Sequence, residues 1–252
     1  MIMLHGWTLD HQVMLHAMEP LFEKRSGWKR IYIDLPGMGN SEPQPSIQNS
    51  DAMLESVLGL LDDIIPGQPF IVCGNSYGGY IARGIVRSRQ DIVRGLLLMA
   101  PMTIPECDDR VVLQQTVLKR DSNLISRLSP EDADEFCSMG VVQGQTEWKR
   151  FRNEILLPSK QTNVEFINRI RQNGYGFTFD ISCKLEYPTL IITGRQDHVV
   201  GYHDAWQLIE DYPRATFAVL DMAGHNLQIE QIDVFNALVG NWLNRLELEN
   251  SL

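Results

Sequence analysis

Residues 74–78 read Gly-Asn-Ser-Tyr-Gly, a G-x-S-x-G pattern between the apolar run Phe70-Ile71-Val72-Cys73 and a segment of helical character from Tyr80 to Val86. A serine on a sharp strand-to-helix turn sits in strained backbone, and small flanking residues keep that turn from colliding with its neighbours. The turn lifts the hydroxyl off the sheet, and the helix N-terminus sets free N–H groups beside it. Ser76 is therefore the candidate nucleophile. A serine needs a base, and the base needs an acid to orient it. Of six histidines only His225 follows the last strand signal, in Ala223-Gly224-His225-Asn226. Asp197 is the candidate acid, 28 positions upstream in Gly194-Arg195-Gln196-Asp197, which leaves room for one helix and one strand. Loops after the carboxyl ends of parallel strands share one crevice, so all three can meet there.

The rival residues have plainer readings. His198 adjoins the acid and lines its loop, while His11, His16 and His203 read as solvated side chains. Asp34 fixes the loop at Pro36-Gly37, and Asp221 lies too near His225 along the chain to reach it from a separate strand. Acyl transfer also requires donors for the developing oxyanion. The backbone N–H of Tyr77 is one candidate; that of Trp7, in His5-Gly6-Trp7, is the other, with His5 as a structural hydrogen-bonder.

Short apolar runs alternating with segments of helical period predict an α/β fold with a mostly parallel sheet flanked by helices. Strands are expected at 1–4, 30–34, 70–74, 95–100, 189–193 and 215–220, unbroken in apolarity as strands covered on both faces are. Helices are expected at 51–65 and 77–88, with a last one carrying Phe235, Leu238, Trp242 and Leu246. Residues 103–183 break the alternation: they carry no strand signal before Phe177 and read as helices over 109–120, from Ser129-Pro130-Glu131, over 145–156 and over 162–173. Such an insertion after the strand ending near Pro101 predicts a helical lid, with residues 1–102 and 184–252 as the core. Phe136, Met139, Trp148, Phe151, Phe166, Tyr175 and Phe177 supply its apolar surface, without a pattern separating lid packing from pocket lining.

The 252 residues are 44% hydrophobic and 21% charged, a globular balance that excludes a disordered chain. A net charge of −10 argues against nucleic-acid or anionic-membrane surfaces, which need clustered Lys and Arg. No apolar run is long enough for a transmembrane helix, and the first ten residues do not read as a secretion signal. Cys73, Cys107, Cys137 and Cys183 have no ligand-like spacing, so no metal is expected; they read as reduced thiols of a cytoplasmic protein.

The stretches LHGW (4–7), DLPGMGNS (34–41), GNSYGGY (74–80), TGRQD (193–197) and AGHNLQIEQ (223–231) together resemble the α/β-hydrolase superfamily, in order and in spacing. That resemblance implies a Ser76–His225–Asp197 triad under a helical cap, with Asp34 and Glu230 architectural. Met38 stands where the family often has a non-catalytic histidine. The family's first two strands have no counterpart before His5, so residues 30–34 are expected to form a hydrophobic edge. A truncated product or misassigned start accounts for this; homodimer pairing through the edge is the rival account.

The leading function is a serine hydrolase of small carboxylic esters or similar acyl compounds, needing no cofactor. The runner-up within the resemblance is cleavage of a carbon–carbon bond beside a ketone, as in meta-cleavage and menaquinone-pathway enzymes. Arg83, Arg87, Arg150, Arg152, Arg169 and Arg171 could serve a substrate carboxylate there, but read more simply as solvated helix faces. A non-catalytic ligand-binding protein on the same fold is the reading from a different class.

Overall fold

The computed structural model describes residues 1–249. The apolar runs form strands β1 (Ile2–Leu4), β2 (Ile31–Ile33), β3 (Phe70–Asn75), β4 (Val93–Met99), β7 (Thr189–Gly194) and β8 (Ala215–Leu220), while β5 (Lys119–Arg120) and β6 (Val142–Gln143) make a separate short ladder. The six-stranded sheet has the order β2-β1-β3-β4-β7-β8, and every pair is parallel. Every residue of β3 and β7 is buried, as strands covered on both faces must be.

Before the insertion come α1 (Gln12–Met18), α2 (Ser50–Ile64) and α3 (Tyr77–Ser88). Asn49 caps α2 by accepting from the Ala52 N–H at 2.9 Å, and Gly67 at φ 63° turns the chain after it. The insertion carries α4 (Ser122–Ile125), α5 (Pro130–Met139), α6 (Gln145–Phe151), α7 (Leu157–Gln161) and α8 (Val164–Gly174). After it come α9 (His203–Trp206), α10 (Leu227–Glu230) and α11 (Ile232–Glu249), whose Phe235, Trp242 and Leu246 are buried in the main core.

Three expectations for the insertion are corrected. No helix spans 109–120: a 3-10 turn at Cys107–Asp109 gives way to irregular chain and then β5. Val111, Val112, Leu113, Val117 and Leu118 are all exposed, so no apolar face is buried to support a helix, and the β-branched residues weaken its propensity. Strand structure occurs well before Phe177, in the parallel β5–β6 ladder, while Phe177 itself lies outside any strand. The helix over 145–156 is interrupted by a π-helical turn at Arg152–Leu156. Pro158 supplies the reason, since it has no N–H for the Glu154 carbonyl and its ring would crowd that oxygen. The start at Ser129 is as expected: its hydroxyl accepts from the Asp132 N–H at 3.1 Å, with Pro130 at the first helical position.

β2 lies at one edge of the sheet, beside Arg30, Glu19 and the Tyr32 hydroxyl, which donates to Glu19 at 2.6 Å. Polar groups on an edge disfavour pairing with another chain. Among the described residues no helix is long and apolar enough to cross a membrane.

Candidate active site

The strand order reverses between β1 and β3, which makes their carboxyl ends the switch point where a parallel sheet opens a crevice. Leu4 is level with Gly74 across that pair, so the loop Gly6-Trp7-Thr8 and Ser76 emerge side by side. Ser76 sits between β3 and α3 at φ 51°, ψ −116°, a left-handed conformation that a non-glycine residue adopts only under constraint. Both glycines of the pattern are needed for close approach. A Cβ on Gly74 would stand 2.3 Å from the Gly78 carbonyl oxygen, and one on Gly78 would stand 2.4 Å from the carbonyl oxygens of Leu4 and His5. The N–H of Ser76 donates to Met99 on β4 at 3.0 Å, and the Ser76 carbonyl accepts from Met102 at 3.0 Å, so the turn is held from three sides.

Asp197 and His225 come from the far side of the sheet. The Arg195 N–H donates to Leu220 at 2.8 Å and the Gln196 N–H to Ala223 at 2.9 Å, binding the two loops backbone to backbone. Gly194 permits this, since a Cβ there would lie 2.2 Å from the Gly224 oxygen. Within that frame His225 Nδ1 and Asp197 Oδ2 are 3.0 Å apart, while Asp197 Oδ1 accepts from the Val199 and Val200 N–H groups at 2.8 and 3.1 Å. Asp197 is fully buried. Burial alone would raise its carboxyl, but the neighbouring His225 and the backbone donors outweigh it and hold it below the usual carboxylate range.

Ser76 and His225 line one cavity of about 530 Å³, without a direct hydrogen bond between them. Catalytic bonds of this kind commonly tighten only around substrate. Trp7 lines the same cavity, and its backbone N–H has no hydrogen-bond partner among the described residues. The N–H of Tyr77, the first residue of α3, belongs to the helix end whose donors lack intrahelical acceptors. The Trp7 ring packs edge-on against Tyr77 and Tyr175, at 4.6 and 4.7 Å between centroids, which ties its loop to the insertion.

The remaining polar residues divide cleanly. His5 accepts from the Leu35 N–H at Nε2 (2.9 Å) while Nδ1 lies 2.7 Å from the Gly6 carbonyl, so both nitrogens serve the frame. Its burial lowers its pKa to about 4, and it stays neutral. Asp34 accepts from the His11 and Asn40 N–H groups at 2.7 and 3.0 Å, and so fixes its loop. His11 departs from the solvated reading: it is partly buried, with Nδ1 2.8 Å from Asp34. His16 and His203 are exposed, as expected, and His198 stands beside an Asp197 already committed elsewhere. Asp221 is exposed and accepts from Gln196 at 2.8 Å.

Sequence reading missed how the insertion meets this site. Met139, Phe151 and Tyr175 face the cavity, whereas Phe136, Trp148 and Phe166 are packing residues and Phe177 stacks on Tyr80. Among the six arginines only Arg171 lines the cavity, its guanidinium 5.8 Å from the ring centres of Trp7 and Tyr175. Arg150 and Arg83 are not solvated faces: Arg150 is bidentate to Glu154 at 2.7 and 2.9 Å, and Arg83 is buried. The four-residue step from Arg171, in the last turn of α8, to Tyr175, the residue that closes it, was the available signal, since side chains one turn apart lie near each other.

Comparison with known proteins agrees with this architecture. The sequence pattern of the α/β hydrolase fold family matches residues 1–231. A curated relative from Burkholderia vietnamiensis, a 2-hydroxy-6-oxononadienedioate/2-hydroxy-6-oxononatrienedioate hydrolase, is 27% identical over 87% of this chain and 78% of its own length. A pimeloyl-[acyl-carrier protein] methyl ester esterase from Nitrosomonas europaea is 25% identical over 89% and 88%. The crystal structure of an alpha/beta superfamily hydrolase from Oenococcus oeni PSU-1 superposes with a TM-score of 0.89 at 32% identity, covering 98% of this chain and 92% of that one. With the elbow, the parallel sheet and the matched sequence pattern in agreement, the chain belongs to the α/β-hydrolase fold family.

Proposed function

We propose that this chain is a serine hydrolase cleaving a small carboxylic ester or similar acyl substrate through an acyl-enzyme. Ser76 attacks the carbonyl, and His225 takes its proton at Nε2. Asp197 holds the imidazole with the proton on Nδ1 and stabilises the imidazolium that forms. The N–H groups of Trp7 and Tyr77 receive the developing oxyanion. His225 then returns the proton to the leaving oxygen, and later activates the water that releases the acid. The observation that carries this reading is the strained Ser76 turn opening into the cavity that also holds an Asp197-oriented His225.

In this reading residues 103–183 are a lid on the core formed by 1–102 and 184–252, with Met139, Phe151 and Leu156 supplying an apolar chamber above Ser76. Cys73 is buried, Cys107 is exposed, and Cys137 and Cys183 are partly buried. Burial pushes the Cys73 thiol up to about 12, in keeping with a packing role.

The test is intact-mass spectrometry after incubation with a fluorophosphonate, followed by turnover of p-nitrophenyl esters. One adduct on the wild type and none on Ser76→Ala is the expected result. No adduct and no ester turnover by folded wild-type protein would overturn the reading in favour of a ligand-binding protein. Cleavage of a carbon–carbon bond next to a ketone is the second reading, favoured by the dienedioate hydrolase relative and by Arg171 in the cavity. Faster turnover of meta-cleavage diketones than of any ester would select it.

A further inference from the structure

We infer that Glu230 is a positioning residue, joining the lid to the loop of His225 so that the base reaches its working place only with the lid seated. This rests on the triad proposed above. Glu230 ends α10, five residues after His225, and is 9% exposed. Its Oε2 accepts from the Gly224 N–H at 2.6 Å, one residue before the histidine. Its Oε1 accepts from the Val141 and Val142 N–H groups, at 2.7 and 3.2 Å, at the start of β6 in the lid.

Each oxygen therefore serves a different part of the molecule. A buried carboxylate is costly unless hydrogen-bonded, and no cation pairs with this one among the described residues. Three backbone donors satisfy it instead. An amide in its place would offer one acceptor oxygen and set an NH₂ group against N–H donors on the other side, so only an ionised carboxylate meets both needs. A purely structural strut would not have to end beside the base. A second tie runs in parallel: Arg150, held by Glu154, donates to the Gln228 carbonyl at 2.8 Å. The segment that follows His225 is thus tied to the lid at two residues of α10, Gln228 and Glu230.

Glu230→Gln and Glu230→Asp test this in the full chain, with p-nitrophenyl acetate as substrate and melting curves to establish folding. Misplacing a reacting group by an ångström costs about a hundredfold. The expected result is a kcat reduced ten- to a hundredfold by Glu230→Gln, on the order of that cost, with KM changed less than about threefold. Glu230→Asp keeps the charge but is one methylene short, so it loses rate in the same way and serves if the glutamine variant does not fold. Both are repeated in a His225→Ala background, where a residue acting through His225 has no further effect on the residual rate. Wild-type kcat in either folded variant overturns the inference, and so does an equal fractional loss in both backgrounds. Failure of the triad itself would look different: Ser76→Ala would retain full activity.

Discussion

Replacing Asp197 by asparagine removes a charge with little change of shape, and the surrounding hydrogen bonds dictate how the amide must orient. Asp197 accepts three donors, two amides on Oδ1 and His225 on Oδ2. If the asparagine oxygen keeps the two amides, its NH₂ group faces Nδ1 of His225. Turned the other way, that group would oppose two backbone N–H donors, and each unsatisfied buried donor costs about 1–3 kcal/mol. The first orientation is therefore favoured, and it makes Nδ1 the acceptor. The imidazole proton then moves to Nε2, the nitrogen that must receive the proton of Ser76. A wrong tautomer of this kind lowers kcat about 10⁴-fold in the well-studied serine proteases, equivalent to roughly 5.4 kcal/mol of barrier. We expect a loss of about 10³–10⁴ here. Steady-state hydrolysis of a p-nitrophenyl ester measures it, with a melting curve to show that the fold persists. A folded Asp197→Asn protein retaining more than a tenth of wild-type kcat would refute the assignment of Asp197 as the orienting acid.

Other perturbations have equally definite outcomes. Arg150→Ala leaves the buried Glu154 carboxylate with only the His16 ring, 3.9 Å away, and should cost about 3–5 kcal/mol, lowering the melting temperature by roughly 6–20 °C for a chain of this size. The double change Arg150→Met/Glu154→Leu should recover most of that loss, short of about 1 kcal/mol for the missing donor to the Gln228 carbonyl, so a melting point as low as that of the single variant would contradict the account. Gly78→Ala drives a Cβ into two backbone carbonyls of the β1 end that no side-chain movement can relieve; denaturant titration should register a loss of about 3 kcal/mol. His5 titrates lower in the folded chain than in the unfolded one, from its ordinary value near 6.5 to about 4. Its contribution is complete above pH 6.5 and is lost as pH falls towards 4, about 3 kcal/mol in all. His5→Gln should therefore flatten the acid decline in stability across that interval, and an unchanged slope would count against the buried neutral imidazole.

The central strands were legible because strands covered on both faces must be apolar throughout; β8, at the far edge, shares the apolar run but not the cover, since only Leu220 of it is buried. The elbow was legible because it combines a serine with two glycines at a strand-to-helix junction. The insertion was not. Val111, Val112 and Val117 satisfy a hydrophobic count, but burial decides whether such residues form a helix, and burial depends on partners distant in sequence. The same limit applies to the arginines: the sequence of α8 does not say that Arg171 meets Trp7, because that contact requires the insertion to lie against the loop that follows β1. Glu230 entered the reading through the family resemblance alone, since its partners are backbone groups and leave no mark on residue type.

The proposed chemistry is divided between two halves that meet along a single line. Trp7, Ser76 and Tyr77 belong to residues 1–99, while Asp197 and His225 belong to the loops that follow β7 and β8, joined backbone to backbone. The central seam is the β4–β7 ladder, from Leu96 opposite Thr189 to Met99 opposite Ile192. A shear along that ladder would change the gap between Ser76 and His225 while leaving the His225–Asp197 bond intact. The proton of the first step must cross this boundary, so the stiffness of four residue pairs sets the tolerance on its path. The insertion bridges the same seam from above, and a change in its sequence would reach the reacting atoms as mechanical strain as well as through the shape of the cavity.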